Sequence, residues 1–243
     1  MGVPLETLEI LMAEKEIALI VGAGSGLSQA LAIRFANEGM TIALAARNPN
    51  KLSELADKTG AKVYACDASQ SDEVAALFSQ VVSDLGTPHV VVYNPGGRLA
   101  GPVTDIDSDG VREVLLVGCF GGFLVGQQAA KHMAAAGRGS ILFTGASASV
   151  KGYANSSSFA MAKFGLRGLA QSMARELAPQ NIHVAHFVID GGISHPNGPT
   201  NKASDSDEWM DPDAIADTYF NIHRQHRSAW TWEVELRPWV ENF

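Results

Sequence analysis

Short apolar runs alternate with segments of helical period over the first three-quarters of the chain, the pattern of successive strand–helix units. The runs at 17–21, 41–45, 62–65, 90–93, 140–144 and 183–189 are mostly continuous in apolar character, as expected of parallel strands covered on both faces. Between them, residues 27–37, 72–85, 111–136 and 158–177 carry helical spacing, the last stopping before Pro179. From Gly191 to Asp213 the periodicity gives way to Gly, Pro, Ser, Asn and Asp, which predicts a long loop of the kind that serves as a lid. A helix at 213–227 and a strand near 231–236 follow. No internal repeat or linker interrupts the chain before residue 190, so the pattern predicts one α/β domain over 1–243. Residues 1–15 read as an N-terminal extension, 191–213 as the lid loop, and 214–243 as a C-terminal helix, strand and tryptophan-rich tail.

Composition narrows the function classes. The chain has 243 residues, 46% hydrophobic and 18% charged, and a formal net charge of -8. A basic field is needed for nonspecific binding to nucleic acid or an anionic membrane surface, so neither is an expected partner. The longest apolar and glycine run, 114–126, is short of the ~20 residues that span a bilayer. Met1 to Lys15 carries three glutamates and no basic segment, so no signal or transit peptide is expected. With two cysteines, Cys66 and Cys119, in neither a disulfide framework nor a zinc spacing, a cytoplasmic protein is the expectation.

The first candidate chemistry is the turn Gly22-Ala23-Gly24-Ser25-Gly26-Leu27-Ser28, which joins the first predicted strand to the first predicted helix. Such a turn lets a diphosphate approach the backbone and meet N–H groups at the positive end of a helix dipole. A tight turn without a ligand is the other reading, since Leu27 stands where a G-x-G-x-x-G fingerprint has its third glycine.

The spacing Gly22-x-x-x-Gly26 is similar to that of the short-chain dehydrogenase/reductase family, and the resemblance covers nearly the whole chain. Tyr93-Asn94-Pro95-Gly96 resembles the family's Asn-Asn-Ala-Gly after strand four. Cys66-Asp67 resembles its Asp after strand three, and Asp190-Gly191 its Pro-Gly turn over the nicotinamide. The resemblance implies a Rossmann-type, doubly wound parallel sheet of about seven strands, with helices on both faces and a dinucleotide across the switch point. The cofactor-binding set it implies is Gly22, Gly24, Ser25, Gly26, Leu27, Arg47, Asp67, Ala68, Asn94, Pro95, Gly96, Lys163, Asp190, Gly191 and Ile193. At the end of strand two, Leu44-Ala45-Ala46-Arg47 has no acid for a ribose 2′-hydroxyl and offers an arginine to a 2′-phosphate. NADP(H) is therefore favoured over NAD(H), with a solvated strand-end arginine as the alternative.

The proton-transfer residues depart from the family pattern. In the family, chemistry rests on a Ser, a Tyr-x-x-x-Lys and a supporting Asn. Here Phe159-Ala160-Met161-Ala162-Lys163 puts phenylalanine on the tyrosine position, Ala146 stands on the serine position, and Gly118 on that of the asparagine. Ser28 replaces the last glycine of the turn. This combination, with the tryptophan-rich ending, resembles a divergent subgroup labelled glucose/ribitol-dehydrogenase-like. A positioned acid contributes about 10²–10⁴ in rate and an oxyanion donor of order 10²–10³, so the usual mechanism does not run unaltered. Lys163 is retained, and Ser147 and Tyr153 are candidate replacements for the missing hydroxyls, against a pocket wall or an exposed loop tyrosine. His195, on the lid loop, is a candidate acid. Two readings stay open: an NADP-dependent oxidoreductase on a carbonyl or alcohol with an altered catalytic set, and a catalytically impaired nucleotide-binding or assembly module.

Several other features have bland alternatives. No metal site is expected: His183 and His186 point to opposite faces of one strand, and His223 and His226 read as a solvated helix face. Gly118, Gly122 and Gly126 form a smooth helical stripe for close packing, within the chain or in the homodimer or homotetramer that the resemblance implies. Trp230, Trp232 and Trp239 call for cover at an interface, a pocket or the core. The acidic residues Asp205, Asp207, Glu208, Asp211 and Asp213 read as solvated loop charge or as a field that disfavours anionic substrates.

Overall fold

The structure, a computed structural model, describes residues 15–195 and 207–241. Most of the expected N-terminal extension and the middle of the expected lid loop, with Asp205, lie outside the described residues.

Seven strands form one all-parallel sheet. They are β1 (Ile17–Val21), β2 (Thr41–Ala46), β3 (Lys62–Ala65), β4 (Val90–Tyr93), β5 (Gly139–Thr144), β6 (Ile182–Ile189) and β7 (Glu233–Leu236). Their order is β3-β2-β1-β4-β5-β6-β7, so the winding reverses between β1 and β4, and the chain leaves a crevice there at the strands' carboxyl ends. The helices are α1 (Leu27–Asn37), α2 (Ser53–Thr59), α3 (Ser71–Asp84), α4 (Ser108–Leu115), α5 (Gly121–Ala136), α6 (Ser157–Leu177) and α7 (Pro212–His223). A π turn, Leu116–Phe120, joins α4 to α5 into one helical run.

Alternation along each strand divides the core in two. Leu19, Val21, Val91, Tyr93, Ile141 and Phe143 meet Phe78 of α3, Val125 of α5 and Leu166 of α6. On the other face Ala18, Ile20, Val90, Val92, Leu142 and Phe187 meet Phe35 of α1 and Tyr219 of α7. Burying each such large side chain contributes roughly 1.5–3 kcal/mol. The run Ser108–Ala136 is long and apolar enough to cross a membrane by length and composition, yet its Leu124, Val125, Ala129 and Met133 pack on the sheet.

The helix expected to reach residue 227 ends at His223. The chain turns there because the Gln225 side chain bonds the Thr231 N–H and hydroxyl, while the Gln225 carbonyl accepts from Trp230 Nε1. Helix α2 was not expected, since its inward face is marked by little more than Leu55, with Leu52 just before it.

Candidate active site

The crevice between β1 and β4 is a cleft of about 410 Å³, lined by the glycine turn, the ends of β2, β3 and β4, and Val117 of the π turn. Gly22 starts the turn with φ +83°, a left-handed conformation, and a Cβ there would lie 2.5 Å from Pro95 N. Glycine is required on both counts. Ser28 stabilises the turn: its hydroxyl donates to the Gly22 carbonyl (3.0 Å) and accepts from Asn94 Nδ2 (2.7 Å). The residue that replaces the family's last glycine thus ties the turn to the end of β4. The Gly22 and Ala23 N–H groups donate to the Ala45 carbonyl, and open space at Gly24 leaves the remainder of the turn accessible to a diphosphate.

At the far end of the cleft, Arg47, Asn48 and Lys51 stand where β2 gives way to the turn before α2. Both cations are exposed. Asp67 faces them from the end of β3. Partial burial would raise its pKa, but the Ser69 N–H (2.9 Å) and hydroxyl (2.7 Å), with Arg47 nearby, hold it below the usual aspartate range. Behind this wall the Tyr93 hydroxyl donates to the Val117 carbonyl, which anchors the π turn against β4.

The residues on the expected catalytic positions do not line this cleft. Lys163 is 5% exposed, and its Nζ donates to the Thr144 carbonyl at 2.7 Å. Burial lowers its pKa to about 8. Two cations approach the Phe159 ring, Lys163 Nζ and Arg98 Cζ, each 5.8 Å from its centroid. Gly118 packs directly on α6, where a Cβ would lie 2.7 Å from that of Ala162, so no asparagine fits. The Ala146 N–H is taken by Ser149 Oγ (3.1 Å). Ser147 opens a short 3₁₀ turn and is half-buried. Tyr153 is 47% exposed.

After β6 the chain turns back over the glycine loop. His195 Nε2 lies 3.0 Å from Ser25 Oγ, and its ring is 3.3 Å from a Cβ built at Gly26. The candidate acid is therefore set at the presumed diphosphate position. Asp190 is engaged by Lys151 (3.2 Å) and Arg237. These cations outweigh its burial and keep its pKa low. A Cβ at Gly191 would meet Pro238, and Ile193 forms a bridge with Met210.

The structure thus brings Gly22, Gly24, Ser25, Arg47, Asp67, Ala68, Asn94, Pro95 and Gly96 together around one cleft. Gly26 and Leu27 adjoin it as the start of α1. Lys163, Ser147, Tyr153, Asp190, Gly191 and Ile193 stand outside its lining. Sequence reasoning missed Lys51 and a partly buried array next to Lys163. In that array Arg167 pairs with both Glu233 oxygens (2.6 and 2.7 Å), and Glu233 meets His186 Nδ1 at 3.1 Å. Burial lowers His186 to about 4, so its ring is neutral. The Arg–Glu–His partners lie far apart in sequence, and no local motif marks them.

Other expectations resolve by packing. The glycine stripe is used within the chain: Gly118, Gly122 and Gly126 face Ala162, Leu166 and Met173 of α6. His183 and His186 do diverge, but His223 is not on a solvated face. Its Nδ1 meets Ser140 Oγ at 2.9 Å because α7 docks its last turn on the start of β5. Among the described residues no cluster of three or more His, Cys, Asp or Glu could hold a metal ion. Trp230 stacks on His183 and Trp232 lies near Arg167, whereas Trp239 is 81% exposed.

The chain matches the family model described as short chain dehydrogenase over residues 16–202. It is 34% identical over 186 residues to a short-chain dehydrogenase/reductase of Armillaria gallica, covering 73% of this chain and 71% of that protein. The crystal structure of a short-chain dehydrogenase from Rhodopseudomonas palustris is similar at a TM-score of 0.80 and 36% identity, over 92% of this chain and 99% of the other. A metagenomic short-chain oxidoreductase solved in complex with NADP gives 0.79 and 26%, over 93% and 98%.

Proposed function

The chain belongs to the short-chain dehydrogenase/reductase family, and from that premise we propose that it is an NADP-dependent oxidoreductase of a carbonyl or alcohol whose proton-transfer residues depart from the family's set. The observation that carries this reading is the cleft at the switch point, with Arg47 and Lys51 and no acid at the end of β2. Two cations suit a 2′-phosphate, and the open Gly24–Ser25 backbone suits a diphosphate. NADPH, when bound, supplies the hydride.

The chain's own residues do the rest. Arg47 and Lys51 bind the 2′-phosphate, and the tie from Ser28 to Gly22 and Asn94 holds the turn in shape for the diphosphate. Lys163, on the turn of α6 after Phe159, keeps a positive charge next to the end of β5. With a pKa of about 8 it is charged at neutral pH and gives up its proton more readily than an ordinary lysine. Ser147, next to Ala146, and Tyr153, six residues before Phe159, are the proposed replacements for the missing hydroxyls. We also propose that two copies pair through α5 and α6. The exposed Phe120 and Phe123 line an apolar groove with Leu115, Leu116, Cys119 and Leu169, and Met161 and Phe164 are exposed on α6, the kind of surface that an interface covers.

A second reading, a nucleotide-binding module without turnover, is favoured by the packing at Gly118 and the engagement of Lys163 by Thr144. Calorimetric titration with NADPH and NADH tests the nucleotide site that both readings require. Micromolar NADPH binding, with NADH at least about tenfold weaker, is expected from one lost charge-assisted contact. Absence of binding by both refutes the site. A screen of carbonyl substrates with NADPH then separates the enzyme from the module.

A further inference from the structure

The amino ends of the parallel strands, opposite the nucleotide cleft, carry a second pocket. It has a volume of about 150 Å³ and is lined by Glu16 before β1, His89 before β4, Arg138 before β5, His183 on β6, and His223 and Trp230 from the C-terminal segment, among others. Two of its polar atoms, Arg138 Nη1 and His183 Nδ1, are buried without a hydrogen-bond partner among the described residues, while Glu16 Oε2 and His223 Nε2 face one another at 3.6 Å. Leaving one such group unsatisfied is costly, and two on one small cavity mark it as a place where something binds.

The charges say what. Glu16 is already countered by Arg224 Nη1 at 2.8 Å, with His223 Nε2 at 3.6 Å. The adjoining His223 ring is the largest influence on Glu16 and, against some burial, its pKa falls to about 2. Arg138 makes no salt bridge with a described residue. Among the described residues its guanidinium is the charge of the pocket without an ion-pair partner. His183 is 3% exposed, with Trp230 stacked on it at 4.7 Å between centroids. Its Nε2 faces the Thr231 carbonyl at 2.8 Å, a contact that favours the protonated ring. Burial, chiefly, and His223 oppose protonation. What this arrangement lacks is a counter-anion.

We infer that this pocket binds a small oxyanion, of carboxylate or phosphate size, between Arg138 and the His183 and His223 rings. The anion accepts from Arg138 Nη1 in a charge-assisted hydrogen bond, and its negative charge offsets the burial that opposes protonation of the His183 ring. A dinucleotide does not fit a volume of this size, so the site is distinct from the nucleotide cleft and does not depend on it.

The test is calorimetric titration of the protein with sodium phosphate and, separately, sodium acetate, against sodium chloride of equal ionic strength. Saturable heat with either oxyanion and none with chloride is expected. Arg138→Gln should weaken it by about tenfold or more, the loss expected for one charge-assisted contact. Any phosphate heat that Arg47→Ala removes belongs instead to the nucleotide cleft, and the heat that remains should still be lost with Arg138→Gln. If Arg138→Gln does not fold, the histidine ring nitrogen resonances of the unaltered protein decide: those of His183 and His223 should shift saturably with the anion. No saturable heat with either oxyanion, heat that survives Arg138→Gln and disappears in Arg47→Ala, or ring resonances that do not move would overturn the proposal. Heat with phosphate alone would assign the site to phosphate, and with acetate alone to carboxylates.

Discussion

Replacing Lys163 with methionine puts a number on the burial of its ammonium group. Burial lowers the pKa from 10.5 to about 8. At pH 7 the lysine is charged both folded and unfolded, and that difference opposes folding by about 3 kcal/mol. Because the folded pKa lies below the unfolded one, the unfolded chain holds more protons between pH 8 and 10.5. Stability contributed through this group therefore rises with pH across that window as the cost is relieved. At pH 9.5 about 1 kcal/mol of the cost remains, so the unaltered protein gains about 2 kcal/mol between pH 7 and 9.5 that the methionine variant does not. The variant also loses the bond from Nζ to the Thr144 carbonyl, which costs about 1–3 kcal/mol at every pH and leaves the difference in slope intact. Urea unfolding of both proteins at the two pH values measures the gap. A gap that stays constant with pH would refute the buried, depressed lysine and, with it, the ready proton at this position.

Arg47→Ala should weaken NADPH by about tenfold, the low end for a charge-assisted contact at an exposed residue, and leave NADH nearly unchanged; fluorescence titration of the two nucleotides checks it. Phe159→Tyr places a phenol one helical turn before Lys163 and should raise NADPH-dependent carbonyl reduction by about 10² or more, followed as loss of nicotinamide absorbance. Gly118→Asn forces a side chain against Ala162, whose Cβ is 2.7 Å from the site, and should cost about 1–3 kcal/mol. Scanning calorimetry would register this as a fall of roughly 2–4 °C per kcal/mol, and adding Ala162→Gly should recover part of it.

The strands and long helices were legible because each is an apolar run or a helical stripe that can be read locally. The glycine turn and Arg47 were legible for the same reason: a turn type and a strand end carry their own residue preferences. What escaped was set by partners distant in sequence. Ser28 read as a defect in a glycine pattern, yet its partner Asn94 is 66 residues away. Asp190 read as part of a nicotinamide turn, and nothing local marks Arg237, 47 residues on, as its ion-pair partner. His223 looked solvated from its helix alone, because nothing local says that α7 brings it against Ser140, 83 residues earlier. The stripe Gly118, Gly122 and Gly126 announced close packing without naming its partner, and only the path of α6 decides that.

The contact between Gly118 and Ala162 also makes the order of substitutions matter. Phe159 and Ala146 are half-buried and can change one at a time, but asparagine cannot enter at 118 while a methyl group occupies 162. A mutational path from this chain toward the family's full catalytic set therefore has a gate, and Ala162→Gly is the step that opens it. Selection for activity that tests single changes finds tyrosine and serine without that step and asparagine only after it, so an evolved variant should carry the permissive glycine before the asparagine.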